Sequence, residues 1–164
     1  MAEQDDVDPI IEQWRRERPD LDPSPIGIVG RISRAARELE ARLEPVYREH
    51  GLEPGWHDVL ATLRRTGPPY QLRVTDFSGA LMLTSSGTTK RLDKLEQAGL
   101  IARAPDPGDR RGTLIRLTDQ GRELIDNVTA AHLDNERDLL GSLDRTEQRQ
   151  LAGLLRKLRL GLRR

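Results

Sequence analysis

One segment, from Thr84 to Gly121, constrains the fold of this chain more than any other. Its sequence is TSSGTTKRLDKLEQAGLIARAPDPGDRRGTLIRLTDQG. The first part predicts a helix that Thr84 or Ser85 caps and that ends at Gly99, because hydroxyl side chains cap helix N-termini and glycine favours the C-terminal stop. The expected buried stripe of this helix consists of Thr88, Leu92 and Leu95, which recur at helical intervals.

A hairpin follows this helix. Residues 100–102 and 114–117 form two short β-prone runs. The segment APDPGDRRG between them is turn-forming and carries two adjacent arginines. Thr118 then caps another helix. A polar-faced helix followed by such a hairpin predicts a winged helix-turn-helix, in which the hairpin is the wing.

The rest of the chain has helical patterns, so the expected fold class is mainly α with a small β-hairpin wing. Apolar residues recur at helical intervals after Ser24, after Pro54 and after Thr118. Asp144 and Glu147 predict a capping box that opens the last helix. We expect three regions: an acidic extension with a short extra helix at 1–23, a helical dimerisation lobe at 24–50 and 119–164, and a winged helix-turn-helix DNA-binding domain at 51–118.

Composition and charge favour a dimer with segregated surfaces. Only 3% of the residues are aromatic and 33% are charged, so a monomer would have a thin core, and leucine-rich helices would bury their apolar faces in a partner. The formal net charge is zero, but residues 1–22 hold eight acids and three bases, whereas 84–116 hold seven bases and four acids. For nucleic-acid binding the distribution of charge matters more than the sum.

Several classes of function are excluded by the sequence. The chain has no cysteine, which rules out disulfides, thiol redox sensing and thiolate metal sites. The histidines, His50, His57 and His132, lack metal-ligand spacing. There is no nucleophile motif or phosphate loop, so we expect neither an enzyme nor a cofactor. No apolar run approaches a membrane span and the acidic N-terminus is no signal peptide, so we expect a cytoplasmic protein that binds no membrane.

The polar end of the predicted helix suits contact with DNA bases. A helix fits the major groove, and short polar side chains at its N-terminal end can reach base edges. Four candidates occupy that end, namely Ser85, Ser86, Thr89 and Lys90. The helix N-terminus also favours phosphate. Capping alone would explain the hydroxyls, but the adjacent wing favours DNA contact.

The wing carries the other candidate DNA-binding residues. Gly108 and Gly112 permit a tight turn, and Asp109 can pair with and orient a neighbouring arginine. Arg110 and Arg111 are then presented to phosphate or to the minor groove, where narrow A·T-rich segments concentrate negative potential. A basic hairpin tip by itself is often only a solvated turn. Its combination with the polar helix predicts a nucleic-acid interface.

This segment resembles the MarR family of bacterial regulators. The shared pattern, within a match over about residues 24–159, consists of Thr89, Leu95, Gly99-Leu100-Ile101, Arg103, Asp109-x-Arg111, Leu117-Thr118 and Gly121. The resemblance implies a homodimer with interlocked terminal helices that presents two winged helices to a pseudo-palindromic double-stranded operator. It also implies that Arg111 is the minor-groove arginine of the wing and that Asp109 is its orienting partner.

The N-terminal part resembles a narrower branch, the urate-responsive MarR regulators, which have an extra N-terminal helix. The resemblance implies a ligand site formed by Trp14 of that helix, Asp58, and two arginines twelve residues apart, Arg91 and Arg103. An aromatic wall and a guanidinium suit a small anionic aromatic effector, urate-like or phenolic. Asp58 would repel the anion unless it moved, and such a movement offers a way to shift the recognition helix.

Each candidate ligand residue also has a structural interpretation. Trp14 can anchor the extra helix, and Asp58 can cap a helix or pair with an arginine. Arg91 can clamp a phosphate; no acid lies three or four positions from it, so its charge is unpaired locally. Arg103 occurs at this place across the wider family, and His57 departs from the aromatic residue expected beside the aspartate.

Two functional hypotheses remain open. In the first, the chain is a sequence-specific DNA-binding transcriptional regulator, a homodimeric repressor that a ligand such as urate or a related purine releases from its operator. In the second, it is a dimeric winged-helix scaffold that binds a protein partner without reading bases, which the zero net charge and the acidic N-terminus favour. Replacing Ser86, Thr89 and Arg111 with alanine separates them, because only a repressor would lose its activity.

Overall fold

The computed structural model describes residues 4–82 and 87–163, apart from the side chains of Ser78 and Arg110. The described residues divide between two compact units, Met1–Arg42 and Leu43–Arg164. Their secondary structure comprises α1 (Asp8–Glu17), α2 (Ser24–Glu49), α3 (Trp56–Arg65), β1 (Gln71–Arg73), a 3-10 turn (Val74–Asp76), α4 (Phe77–Ala80), α5 (Thr88–Gln97), β2 (Ile101–Asp106), β3 (Asp109–Leu117), α6 (Asp119–Leu139) and α7 (Arg145–Gly161). The prediction of a mainly α fold with a small β wing is confirmed.

In the first unit, α1 packs on α2 at two glycines of α2, which have no side chains. Val7 and Ile11 are buried. They lie over two glycines of α2, because a Cβ at Gly27 would come within 3.2 Å of Ile11 and one at Gly30 within 3.5 Å of Val7. Small residues at these positions allow the close approach that buries the apolar side of α1.

Ion pairs fasten the acidic extension to the same helix. Nε of Arg31 lies 2.7 Å from Oδ2 of Asp5, and its Nη2 lies 2.7 Å from Oδ1 of Asp8. Arg34 pairs with Asp6. Hydrogen bonding to Arg31 lowers the pKa of Asp5 to about 2. These acids are therefore paired with bases of their own chain, which removes part of the support for the protein-binding scaffold.

The second unit has one apolar core between α3, α5, the sheet and α6. The α3 face predicted from the sequence is buried, and α5 contributes both leucines of its predicted stripe. The fully enclosed side chains include Val59, Leu60, Leu63, Phe77, Leu92, Leu95, Ile115, Ile125 and Val128. These side chains come both from the helix-turn-helix and from the base of the wing. One shared core therefore holds the two elements together and supports their exposed residues.

The wing sheet has three antiparallel strands in the order β1-β3-β2. The two predicted strands exist, but they extend toward the turn as far as Asp106 and Asp109 because the backbone pairing continues past a register shift at Pro105. Strand β1 was not predicted. It consists of three residues, pairs Leu72 with Ile115, and owes its conformation to that long-range pairing rather than to a local pattern.

Both predicted caps of the C-terminal helices are confirmed. The Thr118 hydroxyl accepts from the Gly121 N–H at 3.0 Å at the start of α6. Asp144 and Glu147 form the capping box of α7. No residue of α7 within the described range is buried, and Leu154 is 66% exposed. This helix therefore presents an uncovered leucine face.

Candidate nucleic-acid interface

Helix α5 presents a polar side to solvent. Thr89 and Lys90 in its first turn are exposed, while Leu92 and Leu95 on the other side are completely buried. The helix begins at Thr88, later than the predicted start at Thr84 or Ser85. Its N-cap is Gly87 at φ +77°, a left-handed conformation that favours glycine, and no side chain caps it.

Two of the candidate base-reading residues, Ser85 and Ser86, lie outside the described residues. Their contacts are therefore not part of the geometry of this interface. The helix that would carry them into a groove starts just after them, so the exposed residues of its first turn define the reading end. Of the residues predicted to contact DNA, these are Thr89 and Lys90.

The wing presents Arg111 to solvent. Its backbone N–H donates to Oδ1 of Asp109 at 2.9 Å. Asp109 thus contacts the backbone that carries Arg111, which differs from the predicted side-chain pairing with a neighbouring arginine. The side chain of Arg110 lies outside the described part of the structure. Orientation of the wing arginine through its main chain remains compatible with the predicted role of Asp109.

A second wing aspartate, Asp106, has a structural role that the sequence did not reveal. Its side chain is 5% exposed and Oδ2 lies 2.6 Å from Nε of Arg73 on β1. Oδ1 accepts from the Gly108 N–H at 2.8 Å. The Asp-Pro-Gly sequence signals a turn at this point, but only the fold brings Arg73 to it.

Arg103 connects the base of the wing to α5. Its Nη2 lies 2.6 Å from Oδ1 of Asp93 and its Nη1 lies 2.6 Å from Oε2 of Glu96. Hydrogen bonding to Asp93, together with the charge of Glu96, raises the pKa of Arg103. The guanidinium proposed to bind an anion is therefore occupied by two carboxylates, and an anion at this site must compete with them.

Asp58 holds the backbone at Met82, six residues before α5 begins. It is 8% exposed on α3, and Oδ1 accepts from the Met82 N–H at 3.0 Å. A buried carboxylate that holds a backbone N–H is costly to leave unpaired. A displacement of Asp58 would therefore release the backbone at Met82.

Arg91, on the first turns of α5, is partly buried and lies against the start of α3. A Cβ on Gly55 would come within 2.6 Å of Nε of Arg91, and Gly55 has φ +78°. Only a residue without a side chain allows this approach. Within residues 4–82 and 87–163, Arg91 forms no ion pair with an acid. Its guanidinium charge is not neutralised by the described part of the chain.

Trp14 lies in the first unit on α1 and is 48% exposed. The other three candidate ligand residues belong to the second unit. Asp58, Arg91 and Arg103 therefore belong to one compact unit, whereas Trp14 belongs to the other. Its exposure leaves an indole face available, since the burial of α1 depends on Val7 and Ile11 instead.

An aromatic cluster close to Asp58 also escaped the sequence analysis. Tyr47, His57 and His132 come from α2, α3 and α6, and the His57 and His132 ring centroids are 4.6 Å apart. The Tyr47 hydroxyl lies 3.1 Å from Nδ1 of His132. Burial and the neighbouring His132 lower the pKa of His57 to about 4.

Neither a metal centre nor a membrane span emerges from the parts of the chain that are described. No group of three or more histidine, cysteine or acidic side chains there is arranged to hold a metal ion. Likewise, no helix in these ranges is both long and apolar enough to cross a membrane.

Comparisons with known proteins identify relatives over nearly the whole chain. A family model described as MarR family matches residues 50–112. The chain is 43% identical to the HTH-type transcriptional regulator PecS of Dickeya dadantii over 155 residues, which cover 94% of this chain and 93% of that protein. It is 27% identical to the HTH-type transcriptional repressor NicR of Pseudomonas putida, over 84% of this chain and 88% of that protein.

Solved structures share the fold. Sco3205, a MarR family transcriptional regulator from Streptomyces coelicolor in complex with DNA, matches with a TM-score of 0.75 at 25% identity, over 87% of this chain and 93% of that chain. A mutant of MarR from E. coli complexed with operator DNA matches with a TM-score of 0.72 at 21% identity, over 88% and 96% of the two chains. At the latter identity the likeness concerns the fold alone.

Proposed function

Because the chain belongs to the MarR family of DNA-binding transcriptional regulators, and is not an enzyme, we propose that it is a homodimeric repressor of a pseudo-palindromic operator and that a small anionic aromatic ligand releases it. One observation carries the DNA-binding part. Thr89 and Lys90 are exposed on a helix whose other face is buried, beside a wing that exposes Arg111.

The two elements divide the work of recognition. The first turn of α5 enters the major groove, where Thr89 contacts a base edge and Lys90 a phosphate. The wing follows the backbone to the adjacent minor groove, where Arg111 meets the strongest negative potential. In a two-fold symmetric dimer the same contacts recur in a second half-site roughly 34 Å away.

Uncovered apolar side chains support the dimer. In the first unit Ile28 and Val29 of α2 are 64% and 63% exposed. In the second unit the leucine face of α7 is uncovered, with Leu154 and Leu158 at 66% and 40%. Apolar surface of this extent favours burial against another chain. A second copy supplies matching helices, since both faces are present in each protomer.

Selection of binding sites from random duplex DNA, followed by gel shifts across salt concentrations, tests the DNA-binding proposal. We expect a pseudo-palindromic site, and a plot of log K against log salt with a slope of about −0.9 for each phosphate contact. Arg111→Ala and Thr89→Ala should each weaken binding by roughly tenfold or more. Arg137→Ala, which removes an exposed arginine of α6, is the matched control and should bind normally.

The outcome also separates the repressor from the protein-binding scaffold. A scaffold would select no consensus sequence, and its residual DNA binding would not depend on Thr89. Purified wild-type protein with no sequence preference would therefore contradict the proposal.

The effector proposal depends on the guanidinium of Arg91, which forms no ion pair with an acid among the described residues. An anionic aromatic ligand pairs with Arg91 and competes with Asp93 and Glu96 for Arg103. The resemblance predicts Trp14 as its aromatic contact. Its charge repels Asp58, whose carboxylate holds Met82. Loss of that hydrogen bond frees the backbone at Met82, which precedes α5 in the chain, so the ligand favours a dimer that does not fit the operator.

Calorimetry with urate, xanthine and salicylate tests the effector proposal on the wild type, Arg91→Ala and Trp14→Ala. We expect one of the three compounds to bind the wild type and to weaken operator affinity by roughly 5- to 150-fold at saturation. Both variants should lose binding, whereas Arg137→Ala should retain it. Absence of heat with all three compounds would retire the proposal without affecting the DNA-binding part.

A further inference from the structure

A nearly buried carboxylate lies beside the exposed turn of the wing. The side chain of Asp106, the last residue of β2, is 5% exposed, whereas Asp109 and Arg111 beyond the turn are exposed. A carboxylate removed from water is tolerated only where other groups replace its hydration. Two groups do so here, the guanidinium of Arg73 on β1 and the N–H of Gly108 in the turn.

Arg73 supplies the charge from the far edge of the sheet. Strands β1 and β2 flank β3 on opposite sides, so the contact between Nε of Arg73 and Oδ2 of Asp106, at 2.6 Å, crosses the central strand. The contact is a charge pair, since its geometry is outside that of a hydrogen bond. The other oxygen, Oδ1, accepts from the Gly108 N–H in the turn. One carboxylate thus joins both edge strands and the turn.

Gly112 makes room for this crossing. A Cβ at this position of β3 would lie 2.8 Å from Cβ of Asp106 and 3.2 Å from Oδ2, the oxygen that faces Arg73. The residue immediately before it is Arg111, whose N–H is held by Asp109. The backbone that carries the wing arginine is therefore packed directly against the ion pair.

We propose that the Arg73–Asp106 ion pair is a strap across β3 that positions the wing for DNA binding by fixing the backbone of Arg111. This inference rests on the proposed contact of Arg111 with DNA. Asp106 is a positioning residue and not a DNA contact, because its carboxylate is nearly buried and a phosphate would repel its negative charge. Arg73 also precedes the turn into α4, so the strap ties the wing to the helix-turn-helix.

Asp106→Asn in the full chain, on the DNA selected above, gives the primary test. Asparagine keeps the size and the acceptor for Gly108 but loses the charge that faces Arg73. Removing an acid from a DNA-binding surface should strengthen binding by simple electrostatics. We expect the opposite, roughly five- to thirtyfold weaker binding, with a salt slope reduced by about 0.9 for each lost contact.

Two comparisons separate positioning from loss of folding. A smaller fraction of folded protein lowers the apparent affinity without changing the salt slope, so the slope distinguishes the two. Asp119→Asn, which removes a fully exposed acid of α6, is the matched control and should bind normally. Arg73→Gln changes a half-exposed side chain and should reproduce the loss, whereas Arg73→Lys, which keeps a cation, should restore most of it.

A double-variant cycle identifies the route. If the strap acts through Arg111, then Asp106→Asn changes affinity by less than about twofold once Arg111 is alanine. Additive losses, or a normal Asp106→Asn beside an impaired Arg111→Ala, would overturn the strap alone. A further loss from Arg73→Gln in the Arg111→Ala background would show that Arg73 contacts DNA itself and would also overturn it. Wild-type affinity of Arg111→Ala would instead overturn the wing contact of the proposed function.

Discussion

The rings of Tyr47 and His57 are stacked, with centroids 4.5 Å apart and planes 18° apart. The stack joins the end of α2 to the first turn of α3, and Nε2 of His57 is buried without a hydrogen-bond partner among the described residues. Burial raises the pKa of Tyr47 to about 12, with a further contribution from Glu136 and Asp58. Both rings are therefore neutral at physiological pH, and protonation of His57 would place an unsolvated charge in this cluster.

Stability should fall in acid because of His57. Burial first, and His132 second, lower its pKa to about 4 against an opposing effect of Asp58, while an unfolded histidine has a pKa of about 6.5. The unfolded state binds the proton more tightly than the folded state. The contribution of His57 to the free energy of unfolding is therefore complete above about pH 6.5 and is lost as the pH falls toward 4. Between pH 8 and pH 5 we expect a loss on the order of 2 kcal/mol from this group.

Urea unfolding at several pH values measures this loss, and His57→Phe is the matched variant. Phenylalanine keeps an aromatic ring against Tyr47 but cannot be protonated. The free energy of unfolding of His57→Phe should therefore change less between pH 8 and pH 5 than that of the wild type. Equal pH dependence of the two proteins would mean that His57 is not held neutral by its surroundings.

Gly121 should be intolerant of any side chain. It lies in the first turn of α6, where a Cβ would come within 2.0 Å of the carbonyl oxygen of Leu100. That carbonyl also accepts from Thr118, so it cannot move without breaking the junction between the wing and α6. Gly121→Ala should cost about 3 kcal/mol of unfolding free energy. Urea unfolding at a fixed protein concentration measures it, because a dimer's stability depends on concentration.

Gly153 in α7 provides the control for this prediction. Nothing lies within 4 Å of a Cβ built there, so Gly153→Ala removes only the entropic penalty of a helical glycine. It should stabilise the protein by about 0.5–1 kcal/mol. Similar stabilities of the two alanine variants would contradict the close contact at Gly121.

Local patterns predicted the elements that carry local information. The buried leucines of α5, the cap at Thr118 and the hairpin follow from periodicity and turn chemistry, and all are present. The start of α5 was misplaced because the preference of hydroxyls for N-caps favoured Thr84 or Ser85, whereas the chain turns through Gly87 in a left-handed conformation with no side-chain cap. The only trace of such a backbone cap in the sequence is a glycine, and glycines also occur in many other kinds of turn.

The contacts of the candidate site depend on strand register and on packing, which a single sequence does not encode locally. Arg103 meets Glu96 and Asp93, seven and ten residues earlier, because the chain reverses after α5. The burial of Asp106 requires Arg73 from a strand of three residues that no pattern marks. The resemblance predicted Arg103 as a site residue but not Asp106 or Arg73, and the partners of all three required the fold.

Removing one of the two carboxylates that pair with Arg103 should strengthen binding of the proposed effector. Glu96→Gln leaves the guanidinium with one carboxylate, Asp93, instead of two. Exposed ion pairs contribute up to about 1 kcal/mol, so the ligand that binds the wild type in calorimetry should bind roughly two- to fivefold more tightly. Glu123→Gln, an exposed acid of α6, should leave the affinity unchanged. Weaker binding by Glu96→Gln would indicate that Glu96 orients Arg103 for the ligand rather than competing with it.

A charge on the leucine face of α7 should separate the dimer. Leu154 and Leu158 lie one turn apart on a helix that buries no described residue within its own chain, so Leu158→Glu would place a carboxylate in the proposed interface, where desolvation costs several kcal/mol. Arg156→Glu is the control, because that residue lies about 200° around the helix from Leu158. Sedimentation should give a monomer for Leu158→Glu, with loss of operator binding, and a dimer for Arg156→Glu. A dimeric Leu158→Glu with normal affinity would exclude this face from the interface.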